Sequence, residues 1–116
     1  MAALSRQSLI EAGISITESN AAAGGDKATN PDGKTAFLVN NGSGASINVT
    51  ITEQMSDRSD PIYGTLSKSN VVKAVAAGAI AIIGPFPPAA FNDASGDVNI
   101  GYSASSSVTV AALKLP

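Results

Sequence analysis

The chain has 116 residues, a formal net charge of −2 and only 14% charged residues. This length fits a single domain. Its seven basic residues are scattered along the sequence, so no basic patch is available and binding to nucleic acid is not expected. Cysteine and histidine are both missing, which excludes a disulfide framework, a thiolate metal site and a Ser-His-Asp triad.

Hydrophobic residues make up 44% of the chain, but aromatic residues only 4%. Large side chains supply most of the free energy of burial, so we expect stability to depend partly on a partner or on self-association. The longest apolar stretch, residues 71–83, is interrupted by Lys73 and Gly78 and is too short to span a bilayer. The first ten residues lack a basic start followed by an apolar run, so no secretory signal is predicted.

Residues 1–12 are predicted to form an N-terminal arm ahead of a single β-domain over residues 13–116. Leu4, Ser8 and Ala12 fit one face of a short helix, whereas Leu9 and Ile10 interrupt that face. The pattern therefore leaves two alternatives for the arm, a short helix and an extended segment.

Strand-like runs follow in the rest of the chain, with apolar residues mostly at every second position. Residues 71–83 are rich in alanine, which also suits a helix, but valine and isoleucine fill the large positions and favour two strands. About eight strands at this spacing predict an all-β fold, a single antiparallel β-sandwich or jelly roll. The predicted strands are 14–17, 36–40, 47–52, 62–66, 71–75, 79–83, 98–102 and 108–110.

Turn residues separate these runs. The Asn-Asn-Gly-Ser-Gly sequence at 40–44 predicts a hairpin loop, because asparagine and glycine tolerate positive φ. Residues 20–34 are rich in Ala, Gly, Asp and Asn and are predicted to form a long extended loop. The other predicted breaks are 56–61, 77–78, 92–97 and 103–107.

The sequence Gly84-Pro85-Phe86-Pro87-Pro88 is the least ordinary part of the chain. Proline fixes φ and removes a backbone donor, so this segment must leave the strand before it. We predict a structural corner made by Gly84, Pro85, Phe86, Pro87 and Phe91. In this corner the two phenylalanines plug one end of the sandwich, and the alternative is an exposed aromatic platform for a sugar or a peptide.

The sequence contains no group of residues that points to acid–base catalysis. The nine acidic residues lie mostly in predicted turns, where Asp is favoured for its local hydrogen bonding. The segment 26–33 has neither the ligand spacing nor the bidentate Glu of a calcium loop. We therefore expect no enzyme, no cofactor and no metal site.

The second two-thirds of the chain resembles small head decoration proteins of tailed bacteriophages, also called capsid cement proteins. The order of short motifs carries the resemblance, and the Gly-Pro-Phe-Pro corner is its most specific part. The matching segments are 32–41, 47–51, 75–78, 82–87, 91–93, 96–103 and 107–111.

The resemblance implies a β-sandwich protein on the exterior of a virion capsid, assembled in the host cytoplasm. Such a protein binds the major capsid protein of the same phage, as a trimer, and cements neighbouring subunits without catalysis or membrane contact. The N-terminal arm and the loop 20–34 are expected to share this contact, because both lie outside the predicted strands. The residues predicted to contact the capsid or another copy are Leu4, Leu9, Ile10, Asp26 and Lys27.

Two other functions fit the same sandwich. One is a carbohydrate-binding or host-surface-binding module, which requires exposed aromatic side chains. The other is a head–tail connector subunit, which requires assembly into a ring.

Overall fold

The computed structural model describes residues 2–54, 58–60, 64–66 and 69–116. In these residues the chain is nearly all β, with one single-turn helix, α1 (Pro88–Phe91). In chain order the strands are β1 (Ala2–Leu4), β2 (Arg6–Ser8), β3 (Ser19–Asn20), β4 (Asp26–Thr29), β5 (Thr35–Asn41), β6 (Ile47–Ile51), β7 (Arg58–Asp60), β8 (Gly64–Leu66), β9 (Val71–Val75), β10 (Ile80–Ile83), β11 (Asp97–Tyr102) and β12 (Val108–Lys114).

Two sheets pack together into a sandwich, as the sequence predicts. Sheet A has the strand order β1-β4-β11-β6-β9, and sheet B has the order β10-β5-β12-β2, with β3 also paired to β12. Most neighbours are antiparallel, but β1 with β4 and β2 with β12 are parallel pairs. The sheets are therefore mixed, with both parallel pairs formed by the N-terminal arm.

The core lies between the two sheets and is built by every second residue of the long strands, since successive side chains point to opposite faces. Sheet A contributes branched residues from β6 and β11, and sheet B contributes Phe37 and Val39 from β5 together with residues of β12. The largest fully buried core side chains include Phe37, Val39, Val49, Ile51, Val98, Ile100, Val108 and Val110.

Six predicted strands match observed ones, and each of them carries valine or isoleucine at a position that faces the core. The predicted strands that match observed ones are 36–40, 47–52, 71–75, 79–83, 98–102 and 108–110. Of the predicted strand 62–66, residues 64–66 form β8, while Ile62 and Tyr63 lie outside the described residues. The predicted strand 14–17 is wrong, because these residues pair with no strand. Pairing in this part of the chain begins at β3, which pairs with β12.

Three predicted loops are also wrong in part. The loop 20–34 contains β4, which pairs with β1 and β11. Residues 58–60 of the predicted break 56–61 form β7, which pairs with β8. The sequence at 40–44 is not a hairpin, because β5 extends to Asn41 in sheet B and the chain then passes to β6 in sheet A.

The N-terminal arm is extended rather than helical. Its first strand, β1, lies at the edge of sheet A, and its second strand, β2, lies at the edge of sheet B. Ser5 separates the two strands. One short segment therefore crosses from one sheet to the other and closes one side of the sandwich.

Candidate contact surfaces

The corner at residues 84–91 follows β10 directly. The Gly84–Pro85 peptide is cis, and Gly84 has a φ of +128°. A Cβ atom at Gly84 would lie 2.9 Å from the Cα of Ala36, closer than such atoms approach. Only glycine therefore fits where the corner crosses β5.

Phe86 and Phe91 are buried at this corner, with 3% and 2% of their surface exposed. The Phe86 ring centroid lies 6.0 Å from that of Phe37 and 5.3 Å from that of Phe91. These distances are typical of tilted aromatic pairs in a core. Because both rings are buried, they plug the sandwich as predicted and do not form a platform for a sugar.

Asn30 fixes the corner to β5 and to the loop before β11. Its side-chain amide donates to the carbonyl oxygen of Phe86 at 2.9 Å and to Oδ1 of Asn92 at 2.8 Å. Asn92 in turn donates to the carbonyl oxygen of Asn30 at 2.7 Å, and the Thr35 amide donates to Asn30 Oδ1 at 3.4 Å. Asn30 has no exposed surface, so these bonds satisfy polar groups that water cannot reach.

The outward face of sheet A is mainly polar. Alternation along the strands places Lys27, Asn48, Thr50 and Asn99 on this face, opposite the core residues. Lys27 Nζ lies 3.7 Å from Oδ2 of Asp97. This face therefore presents charges and amides to water.

The outward face of sheet B is apolar along one row of three paired strands. Ile82 of β10 lies beside Leu38 of β5, and Leu38 lies beside Ala111 of β12. In the next row Ile80 lies beside Asn40. Ile80 and Ile82 are 61% and 62% exposed, so the apolar surface is widest at the β10 edge.

The β10 edge of sheet B is open as far as the described residues show. In the described part of the chain β10 has one strand neighbour, β5. The Asn41 amide donates to the carbonyl oxygen of Ala79, so Ala81 and Ile83 point their backbone groups toward β5 by alternation. The backbone N–H and C=O groups of Ile80 and Ile82 therefore point away from the sheet.

The arm side is held by a charged contact. Arg6 Nη1 lies 2.8 Å from Oδ1 of Asp32 and 3.3 Å from Oγ1 of Thr35, to which it also donates. The Arg6 guanidinium holds the pKa of the Asp32 carboxyl below its usual value. This pair ties β2 to the turn before β5 while the carboxylate is ionised.

Residues 9–18, here named the arm loop, project beyond β2 without strand structure. Gln7 clamps the end of this loop, because its side chain donates to the Thr17 carbonyl oxygen and accepts from the Thr17 amide, both at 2.8 Å. At the start of the loop the Leu9 amide donates to the carbonyl oxygen of Lys114 at 3.0 Å. Ile10 and Ile16 remain 58% and 39% exposed on this anchored loop.

A cavity of about 330 Å³ lies where the arm crosses between the sheets. Its wall combines three hydroxyl side chains with small apolar ones and contains no charged residue. The lining residues are Ala3, Leu4, Ser5, Gln7, Thr17, Ser19, Val110, Ala111 and Ala112.

Asp26 differs most from its predicted role. It has no exposed surface, and its Oδ2 accepts from the Tyr102 hydroxyl at 2.7 Å and from the Ala22 amide at 3.2 Å. Burial, followed by the Asp26 carboxylate, raises the pKa of Tyr102 well above its usual value. A contact role for Asp26 is therefore wrong in this chain, because its carboxylate faces the interior instead of a partner.

The other predicted contact residues are distributed over the arm side. Leu4 is half-buried and packs against the core, and Leu9 is half-buried. Ile10 and Lys27 offer accessible side chains. Sequence reasoning missed Ile16, Val72, Ile80 and Ile82, although the run Ile80-Ala81-Ile82-Ile83 already has isoleucines on both faces of one strand.

Within the described ranges, no group of three His, Cys, Asp or Glu side chains is placed to hold a metal ion. No helix in that part of the chain has the length and apolar character needed to cross a membrane. No family model, curated protein or solved structure matches this chain.

Proposed function

We propose that the chain is a structural virion protein that binds the outside of a phage capsid and cements neighbouring major capsid subunits as a trimer. The resemblance to head decoration proteins supports this function. The observation that carries it is the arm loop, where Ile10 and Ile16 are 58% and 39% exposed on a segment anchored at both ends.

Anchoring matters because binding must offset the entropy of ordering the groups that make contact. The Gln7 clamp and the Leu9 bond already restrict the arm loop in the free chain. Burying one isoleucine side chain contributes roughly 1.5–3 kcal/mol. A contact of this size is weak for one copy, but a symmetric shell repeats it and adds the copies together.

Lys27 extends the proposed contact to sheet A. It lies on the polar outward face beside Ala3 of β1, so the arm and β4 meet at the same edge. Leu9 and Ile10 supply apolar contact and Lys27 supplies charge. Leu4 and Asp26 support the surface from inside the sandwich.

The test is co-sedimentation of the purified chain with expanded and unexpanded heads of the virus that encodes it. The double variant Ile10→Ser and Ile16→Ser should bind expanded heads at least about tenfold more weakly. Full burial of one isoleucine contributes roughly 1.5–3 kcal/mol to binding, and about 1.4 kcal/mol is a tenfold change in Kd. Val72→Ser is the matched control, because Val72 is 60% exposed and lies on the opposite edge of sheet A. Equal binding of the double variant and the wild type would contradict the proposal.

This double variant is preferable to deleting residues 2–10. Such a deletion removes β1 and β2, so lost binding would not separate contact from folding. A wild-type chain that binds neither form of the head would contradict the cementing function itself.

A further inference from the structure

We propose that β10 is a self-association edge, and that its partner is β10 of a second copy, paired antiparallel about a two-fold axis so that sheet B continues across both chains. The open edge presents the backbone groups of Ile80 and Ile82. Unpaired edge groups of this kind are a template for another strand.

The strand lacks the features with which proteins protect an edge. Charged side chains, proline and bulges are the usual protection, and Ile80–Ile83 contains none of these residues. The whole segment 74–92 is without a charged residue. The edge of sheet A next to it, β9, carries Lys73 and is protected in the usual way.

A second copy fits this edge better than an unrelated strand because the pairing is self-complementary. If Ile80 lies opposite Ile82 of the other copy, each of these pairs exchanges two backbone hydrogen bonds. Both isoleucines then lie on the same outward face, next to the two isoleucines of the other copy. Each chain carries a net negative charge, but residues 74–92 are neutral, so this contact places no like charges opposite each other.

Ala81 lies on the axis in this register. It would face Ala81 of the second copy in a non-hydrogen-bonded pair, with Cα atoms about 4.5 Å apart. A disulfide spans Cα separations of about 4.4–6.8 Å. The chain has no cysteine of its own, so a single introduced thiol reports on this contact alone.

The first experiment oxidises Ala81→Cys under mild conditions and measures the covalent dimer. The expected result is a dimer that forms readily in Ala81→Cys and not in Ala74→Cys, a matched alanine on the exposed part of β9. Absence of the dimer in a folded Ala81→Cys chain, or equal dimer in both variants, would overturn the proposal.

The second experiment measures the mass of the wild-type chain by sedimentation equilibrium from about 10 to 500 μM, the range expected for a small interface. Ile82→Pro removes an outward donor and leaves the bonds to β5, since an edge strand tolerates proline there. It should weaken the dimer at least about tenfold, with unchanged circular dichroism. A monomeric wild type, or association that Ile82→Pro leaves unchanged, would overturn the proposal. This two-fold contact does not depend on capsid binding, so neither result decides whether the chain cements the capsid. A free chain with the mass of a trimer would overturn the two-fold contact, whereas a free dimer would confine the proposed trimer to the capsid surface.

Discussion

The two sides of the sandwich differ in how the edges of their sheets are covered. On the arm side, β1 covers the edge of sheet A while β2 and β3 cover the edge of sheet B. On the other side, here named the free side, the consecutive strands β9 and β10 end the two sheets and are joined through Ala77 and Gly78. The arm side is closed by added backbone pairing, whereas the free side leaves an apolar strand open.

The difference separates stability from self-association. Pairing on the arm side is supplemented by Arg6, which binds Asp32 in the turn before β5, and by Gln7, which binds Thr17 at the end of the arm loop. The free side has Val72, Ile80 and Ile82 more than half exposed. Such side chains add little to the fold of one copy and more to a contact with another.

The largest expected effect is a loss of stability at the corner that follows β10 on the free side. Phe86→Ala should lower the free energy of unfolding by about 3–5 kcal/mol, because it leaves a cavity between the Phe37 and Phe91 rings. Ile82→Ala, on the exposed face of β10, the strand that leads into this corner, should change it by less than about 0.5 kcal/mol. Chemical denaturation measures both values. Similar values for the two variants would mean that Phe86 is not a buried plug.

A smaller effect is expected on the arm side. Gln7→Ala removes both bonds to Thr17 and should cost about 1 kcal/mol. The Thr17 amide should then exchange with deuterium faster, whereas the Ile83 amide on the free side should keep its rate. Gln7→Glu retains an acceptor for the Thr17 amide and is the control with an intermediate effect. Unchanged exchange at Thr17 in Gln7→Ala would show that the clamp does not hold the arm loop.

The smallest effect is a pH dependence that belongs to the arm side. Because Arg6 lowers the pKa of Asp32 in the folded chain, the bridge stabilises the fold above the unfolded pKa of about 3.9. This contribution is lost as pH falls through the lower folded pKa. Asp32→Asn should remove that part of the acid dependence, so its thermal midpoint should fall less steeply than that of the wild type below about pH 4. Parallel pH profiles would contradict a role for the bridge.

The acid dependence that comes from Asp93 can be compared with that from Asp32 in the same chain. Its pKa is also lowered, first by the backbone N–H of Asp97 and then by that of Ser95. These bonds lie in the turn before β11, away from the arm. Asp93 should therefore keep contributing to acid sensitivity in Asp32→Asn, and the variant that combines Asp32→Asn with Asp93→Asn should show the flattest pH profile.

Sequence patterns predicted the strands with branched residues at alternating positions, because burial of one face imposes that period. They failed at β4, where Asp26 occupies an inward position and accepts hydrogen bonds from the Tyr102 hydroxyl and the Ala22 amide. They failed again at residues 40–44, since asparagine and glycine permit a tight turn but do not fix which sheet the next strand joins. The corner was predictable because glycine and proline restrict the backbone locally.

The contact surfaces were harder to predict. Ile10 was named from its place in a weakly patterned arm, and the structure exposes it. The β10 edge was not foreseen, because the exposure of Ile80 and Ile82 depends on which strand ends sheet B. That order is set by long-range pairing and leaves no local sign in the sequence.

Hydrogen exchange of single amides compares the two sides most directly. In dilute wild-type chain, the amides of Leu9 and Ala21 should be protected by their bonds to Lys114 and Val108. The amides of Ile80 and Ile82 should exchange rapidly when dilute and become protected as concentration rises. Protection of Ile80 and Ile82 in the dilute chain, or rapid exchange at Leu9 and Ala21, would contradict a closed arm side and an open free side.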